Sequence, residues 1–262
     1  MSSTTSRLAM VQLFPGLMGT YGDGGNLTVL QHRARARGLA TDLVTVGPED
    51  AIPAGADIYV LGGGEDAGQV VAAERLIASP GLRQAHAAGA TIFAVCAGLQ
   101  ILGQSFEITG GQITAGLGIL DVTTRRRQVR AIGEILTEPV ADLDLPFLTG
   151  YENHGGGTSL GPDARPLAKV TNGVGNGSGG PAGDGWEGAV QGNILASYLH
   201  GPVLARNPAL ADYLIAQAAG LELAPLEAPF VEELRAERVA YVKSGRLSAE
   251  AASAAPRRRL PT

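Results

Sequence analysis

The sequence predicts an α/β protein built on a mostly parallel sheet with helices on both faces. Three observations predict it. Apolar runs of strand length alternate with helix-length segments through the first hundred or so residues. Several of those runs end abruptly in glycine or other small residues, as strands do where they feed helices. Glycine is plentiful, 38 of 262 residues, about twice its usual share near 7%, and it gathers at those strand ends.

The elements follow in order. Residues 1–7 are expected to form a disordered terminus. Leu8 to Phe14 reads as a buried strand, followed by a Gly-rich turn from Pro15 to Asn26. A helix is expected from Leu27 to Arg37, stopped by Gly38. Leu43 to Val46 and Asp57 to Leu61 read as strands, the latter entering Gly62-Gly63-Gly64-Glu65-Asp66. Helices are expected over Gln69 to Ala78 and Leu82 to Ala88. Thr91 to Val95 is a further apolar strand, and Ala97 to Gln104 opens a helix. The middle, Phe106 to Tyr198, has more β character, and Gly173 to Gly185 is composed like a flexible loop. Ile194 to Tyr198 is a strand ending at Leu199-His200-Gly201-Pro202. Helices follow over Pro208 to Ala219 and Pro229 to Val242, with a mobile tail at residues 246–262.

Composition narrows the function. The apolar share is 45% and the charged share 17%, which disfavours a disordered chain. Net charge is −5, a poor basis for general nucleic-acid binding. The single cysteine excludes an internal disulfide framework and a Cys-rich zinc site. No apolar stretch approaches the roughly 18 residues of a membrane span, and no clean signal peptide is visible, so a cytoplasmic location is expected. A phosphate-binding Gly-x-x-x-x-Gly-Lys-Ser/Thr loop is absent. The two lysines, Lys169 and Lys243, lie away from the Gly-rich strand ends.

Active sites of parallel sheets lie at the carboxyl ends of the strands. Here those ends bring the turn at 15–25, Gly62-Gly63-Gly64 and Cys96 to one rim. Cys96 follows an apolar strand and opens a helix among small residues, the pattern of a nucleophile on a sharp turn. Amide groups at the helix start favour a thiolate and can hold an oxyanion. A buried structural cysteine is an equal reading of position alone. His200, at a strand end, is the first candidate base, since a cysteine nucleophile needs a base near in space. His154, in Tyr151-Glu152-Asn153-His154-Gly155-Gly156-Gly157, competes with it; His32 and His86 fall on surface helices. Arg125-Arg126-Arg127 and Arg130 form a basic cluster that is either a solvated face or a carboxylate clamp.

Taken together, Gly62-Gly63-Gly64, Ala94-Val95-Cys96-Ala97-Gly98 and His200 resemble the class I (triad-type) glutamine amidotransferases. That resemblance implies a flavodoxin-like three-layer fold over residues 8–245. Two features depart from the common pattern: Ala94 stands where the elbow usually has Gly, and Pro202 where many members carry a Glu. Leu199-His200-Gly201 instead looks like the cobyric acid synthase branch. Gly116-Leu117-Gly118-Ile119-Leu120-Asp121, Gly150 to Gly156 and Tyr198 to Pro202 are similar to the GatD-type free-standing subunits of that branch.

The resemblance implies a glutaminase subunit that passes ammonia to a MurT-like Mur ligase partner in a heterodimer. No cofactor is expected on this chain, and ATP and Mg are expected on the partner, which would amidate the D-glutamate α-carboxylate of lipid II. Within the site it implies Cys96 as nucleophile, His200 as base and Arg130 on the substrate carboxylate. Amide groups of Gly63, Gly64 and Ala97 would hold the oxyanion. A partner aspartate would complete the triad, with Glu152 as the alternative within the chain; the lone chain is expected to be weakly active. Cobyrinate-type amidation, a non-catalytic flavodoxin-like module and a stand-alone cysteine hydrolase remain open on the residues alone.

Overall fold

The computed structural model describes residues 7–177 and 185–244. The expected disordered terminus at residues 1–6, the core of the loop expected at 173–185 and the tail at 246–262 lie outside them. Arg7 is described, and it is strand, paired through its guanidinium with Asp42 at 2.6 Å.

The first half of the chain forms β1 (Arg7–Leu13), α1 (Gly25–Ala36), β2 (Ala40–Val46), β3 (Ile58–Leu61), α2 (Asp66–Ala78), α3 (Gly81–Ala87), β4 (Thr91–Val95) and α4 (Ala97–Leu102). Next come β5 (Ser105–Glu107), β6 (Ile113–Ala115), β7 (Val122–Pro139), β8 (Leu148–Leu160), β9 (Ala168–Asn172), β10 (Trp186–Glu187), β11 (Ala189–Gln191) and β12 (Ile194–Ser197). The chain closes with α5 (Val203–Arg206), α6 (Pro208–Ala219) and α7 (Pro229–Lys243).

The main sheet has six strands in the order β11-β12-β4-β3-β1-β2, parallel throughout except for β11. From β1 the chain moves outward through α1 to β2, then returns past β1 to β3 and continues in the opposite direction through α2 to β4. Right-handed crossovers taken in opposite directions place α1 and α2 on opposite faces of the sheet. The helices pack accordingly, α1 with α5 and α6, and α2 with α4. Covered on both faces, β3 and β4 are buried at every position, which is why they read as unbroken apolar runs. Arg33 grips Asp212 with two hydrogen bonds of 2.6 and 2.7 Å and Arg37 adds a third, tying α1 to α6.

The middle of the chain builds a second six-stranded sheet, order β10-β9-β7-β5-β6, with β8 paired to β7. Antiparallel pairing of β7 with β8 runs from Val122–Leu160 to Thr137–Leu148, interrupted by a bulge between Arg126 and Ala131. A one-step bridge between Tyr151 and His200 links β8 to the end of the main sheet. The described part of the expected flexible loop, residues 173–177, is pinned rather than loose. Val174 and Gly175 donate their amides to Glu152, and the Asn176 carbonyl accepts from the Thr158 amide. Among the described residues no helix is long and apolar enough to cross a membrane.

Candidate active site

Cys96 sits between β4 and α4 with φ 53° and ψ −108°, a conformation that side-chain-bearing residues rarely adopt. The strain is held by neighbours. The Cys96 amide donates to the Ser197 carbonyl on β12, and its own carbonyl accepts from Gln100 in α4. Gly98 has no alternative: a Cβ there would lie 2.7 Å from the Leu61 carbonyl oxygen and 2.9 Å from that of Gly62. Ala94, where the resembling family has Gly, fits fully buried in β4. The elbow thus lifts Cys96 to the floor of a cleft, 8% exposed.

His200 shares that cleft. Two backbone hydrogen bonds to Tyr151, of 2.9 and 3.3 Å, fix the main chain at His200. Gly63 sits between Cys96 and His200; its absent Cβ would lie 2.7 Å from Cε1 of His200 and 3.3 Å from Cβ of Cys96. The Nε2 atom of His200 is buried and has no hydrogen-bond partner among the described residues. Its Nδ1 faces the Asp23 carboxylate, 3.0 Å from Oδ2 and 3.2 Å from Oδ1. Burial alone would lower the proton affinity of His200. The hydrogen bond to Asp23, the interaction with Cys96 and the charges of both outweigh it, and the pKa is pushed up to about 10.

Within this chain the acid beside His200 is not the Glu152 that was expected as the in-chain alternative. Glu152 is buried and engaged elsewhere. Its carboxylate accepts the Val174 amide at 2.8 Å and the Gly175 amide at 2.9 Å, and approaches His154 Nε2 at 3.6 Å. Asp23 occupies the position instead. The signal in the sequence was a lone acid inside a Gly-rich turn that shares a rim with Cys96.

The amide of Gly63 also differs from expectation. It donates to Asp23 Oδ2 at 2.9 Å, so it is engaged and not free to meet an oxyanion. Gly64 and Ala97 line the cleft beside Cys96. Ala97 is the first residue of α4, so its amide has no acceptor within the helix.

The far wall comes from the second sheet. Arg126, Arg130, Asn153 and His154 line the cleft, together with Tyr21, Glu65, Asp66 and Glu107. The basic cluster divides by strand alternation. Arg125 bonds to Ser105 and the Thr124 carbonyl, and Arg127 to the Gly177 carbonyl, while Arg126 faces the cleft and lies 3.6 Å from Asp66. Arg130, across the bulge, donates Nε–H to Asn153 Oδ1 at 2.6 Å and Nη2–H to the Asn153 carbonyl at 3.1 Å. Asn153 in turn donates to the Tyr21 hydroxyl at 2.7 Å, and the Tyr21 ring covers His200 with centroids 4.8 Å apart. His154 donates Nδ1–H to the Gly156 carbonyl and stacks on Tyr198 at 3.9 Å. It lies in the cleft wall, held as a packing element. His32 and His86 lie on α1 and α3, outside the cleft lining. Among the described residues no group of three or more His, Cys, Asp or Glu side chains is placed to hold a metal ion.

A cysteine on a strained elbow, a buried histidine and an arginine-lined wall are the parts from which a cysteine-dependent hydrolytic or transfer site is built. The CobB/CobQ-like glutamine amidotransferase domain matches residues 10–208, and the chain belongs to that family. It is 33% identical over 235 residues to "Lipid II isoglutaminyl synthase (glutamine-hydrolyzing) subunit GatD" of Staphylococcus aureus strain N315, covering 87% of this chain and 93% of that one. It is 32% identical over 239 residues to the subunit of the same name from Streptococcus pneumoniae strain ATCC BAA-255 / R6, covering 89% of each. A glutamine amidotransferase crystal structure shares the fold with a TM-score of 0.54 at 20% identity, over 80% of this chain and 99% of that one.

Proposed function

We propose that this chain is the glutaminase subunit of a lipid II isoglutaminyl synthase. It hydrolyses L-glutamine and supplies ammonia to a Mur ligase-like partner of the MurT type. The partner, with ATP and Mg, amidates the D-glutamate α-carboxylate of lipid II. The observation that carries the glutaminase reading is Cys96 on its strained elbow in one cleft with His200. The lipid II reading rests on similarity to two GatD subunits over most of both chains.

Chemistry follows from the geometry. Nε2 of His200 already carries the thiol proton, in keeping with its raised pKa, and the Cys96 thiolate attacks the side-chain amide carbon of glutamine. The amides of Gly64 and Ala97 face the developing oxyanion, a contribution of about 3 kcal/mol for each such donor in comparable sites. Collapse of the tetrahedral adduct expels the nitrogen, which leaves as ammonia after taking the proton from His200. Water then attacks the glutamyl thioester, His200 receives its proton and returns it to sulfur, and L-glutamate departs. Arg130, oriented by Asn153, receives the substrate α-carboxylate.

The test is covalent labelling with a glutamine-like diazoketone, mapped by peptide mass spectrometry. The expected result is a label on Cys96 that glutamine suppresses. In a second arm the chain, a Mur ligase-like partner, ATP, Mg and lipid II are incubated with glutamine labelled at the amide nitrogen. Label in the lipid II stem peptide supports the acceptor. A label on Cys96 indifferent to glutamine overturns the glutaminase reading, and unlabelled lipid II with active glutaminase overturns the acceptor alone.

A further inference from the structure

Tyr21 joins the two walls of the cleft. It stands in the loop after β1 with φ 63°, in the left-handed region that a side chain enters only under constraint. Its neighbour Thr20 fastens that loop to the Gly62-Gly63-Gly64 turn by donating its amide to the Gly63 carbonyl at 3.2 Å. From there the ring lies against His200, with centroids 4.8 Å apart and planes tilted by 58°. The Tyr21 hydroxyl accepts from Asn153 Nδ2 at 2.7 Å. Tyr21 is 42% exposed and lines the cleft, whereas His200 is fully buried, so the ring shields the imidazole on the cleft side. A half-exposed ring gains little from burial; its strained position is held by these contacts instead.

Asn153 carries the connection on to Arg130. Its Oδ1 accepts from Arg130 Nε at 2.6 Å, its carbonyl from Arg130 Nη2 at 3.1 Å, and its Nδ2 donates to Tyr21. The carboxamide is thus fixed from both sides: reversed, it would set its NH2 against the Arg130 Nε–H, donor to donor. With Nε and Nη2 directed at Asn153, the outer end of the guanidinium remains for a carboxylate. That end lies over Gly155, where an added Cβ would sit 3.9 Å from Nη1 of Arg130 and 3.7 Å from Nη2 of Arg126. Removing the Tyr21 hydroxyl takes away one of the bonds that hold Asn153, and with it the aim of Arg130.

We propose that Tyr21 is a positioning residue with two separable parts: its hydroxyl, through Asn153, aims Arg130 at the substrate carboxylate, and its ring holds His200 in place. The carboxylate as the target of Arg130 rests on the glutaminase reading above; the connection from Tyr21 through Asn153 to Arg130 is independent of substrate. Its consequence is that one side chain sets both the base at the end of the first sheet and the recognition group on the second.

The experiment compares the full chain with Tyr21→Phe, Tyr21→Ala, Asn153→Ala and the double variant Tyr21→Phe/Asn153→Ala. Glutaminase kcat and KM are measured on each, and hydrogen exchange of the Arg130 Nε–H is followed by nitrogen-15 NMR without substrate. Tyr21→Phe keeps the ring and removes the hydroxyl. Its KM is expected to rise about 3- to 10-fold, the usual worth of one hydrogen bond, with kcat changed only a few-fold and faster Arg130 exchange. Tyr21→Ala is expected to raise KM equally and in addition to lower kcat about tenfold or more, because the uncovered base can shift. Since the hydroxyl acts through Asn153, Tyr21→Phe should add nothing to KM once Asn153 is alanine. A folded Tyr21→Phe chain with parental KM and parental Arg130 exchange overturns the proposal, and so do additive effects of Tyr21→Phe and Asn153→Ala on KM. A kcat for Tyr21→Ala equal to that of Tyr21→Phe overturns the part given to the ring. Faster Arg130 exchange in Tyr21→Phe, when neither it nor the parent hydrolyses glutamine, upholds the connection and sinks the glutaminase reading instead. Should Tyr21→Ala not fold, Tyr21→Leu, which keeps bulk without the aromatic face, is read in its place.

Discussion

The two sheets contribute to one cleft in different ways. In the parallel sheet the contributing groups sit at strand ends: Gly64 beyond β3, Cys96 beyond β4 and His200 beyond β12 line the cleft, with Asp23 beyond β1 buried beside His200. In the antiparallel sheet the contributing groups sit within strands, Arg126 and Arg130 on β7 and Asn153 and His154 on β8. The cause is burial. A strand covered on both faces has only its ends free for chemistry, whereas a strand that is not covered on both faces can present side chains along its length. Under the function proposed above, one sheet does the bond-making and the other holds the substrate, and substitutions in each can break or sharpen that division.

The largest effect is expected at the strand end itself. Cys96→Ser should lower glutaminase kcat by about 10⁴-fold or more while the chain keeps its fold and its affinity for glutamine. Residual hydrolysis near the parental rate would remove the parallel sheet from the chemistry. Asp23→Asn ranks next: losing the carboxylate beside His200 Nδ1 should lower kcat on the order of 10²- to 10⁴-fold with little change in KM. Gly63→Ala follows: its new Cβ, 2.7 Å from His200 Cε1, must displace the base. A displacement of about 1 Å typically costs on the order of 10²-fold in rate, so kcat should fall while KM holds.

Arg130→Ala tests the other sheet. Loss of a charged contact to the substrate carboxylate should raise KM about 10- to 100-fold with kcat changed only a few-fold. A fall in kcat at constant KM would erase the division of labour drawn here.

The smallest effect concerns stability alone. Glu187 is fully buried beneath Tyr198, and burial pushes its pKa up to about 8. Between its ordinary value near 4.5 and about 8 the folded chain keeps a proton that the unfolded chain has released. Stability therefore falls as pH rises through that window and levels off above it. Glu187→Gln should flatten this slope, read as melting temperatures from pH 5 to 8.5. An unchanged slope would show that Glu187 does not titrate in this range.

Legibility followed the same division. Cys96 and His200 stood out because each ends an apolar run, and Gly62 to Gly64 because three glycines after a strand mark a crowded backbone. Arg130 was reached through resemblance, since nothing in the spacing of four arginines tells which face the cleft. The register of β7 against β8, and the bulge between Arg126 and Ala131, decide that. Asp23 was overlooked because an acid in a glycine turn has no periodicity to betray it.

What the amino-acid order determined by itself was the alternation of strands and helices, and with it the rim where chemistry could occur. Local propensity and apolar period suffice for that, because each element is specified by residues near in sequence. Which acid faces His200 was settled only when the chain closed up. Asp23 and His200 are separated by most of the protein and meet only because β1 and β12 end at the same edge of one sheet, with Gly62 and Gly63 bare enough to let the loop between them approach. Glu152, far nearer in sequence, was held elsewhere by the amides of Val174 and Gly175, contacts that form only when those segments meet in the fold.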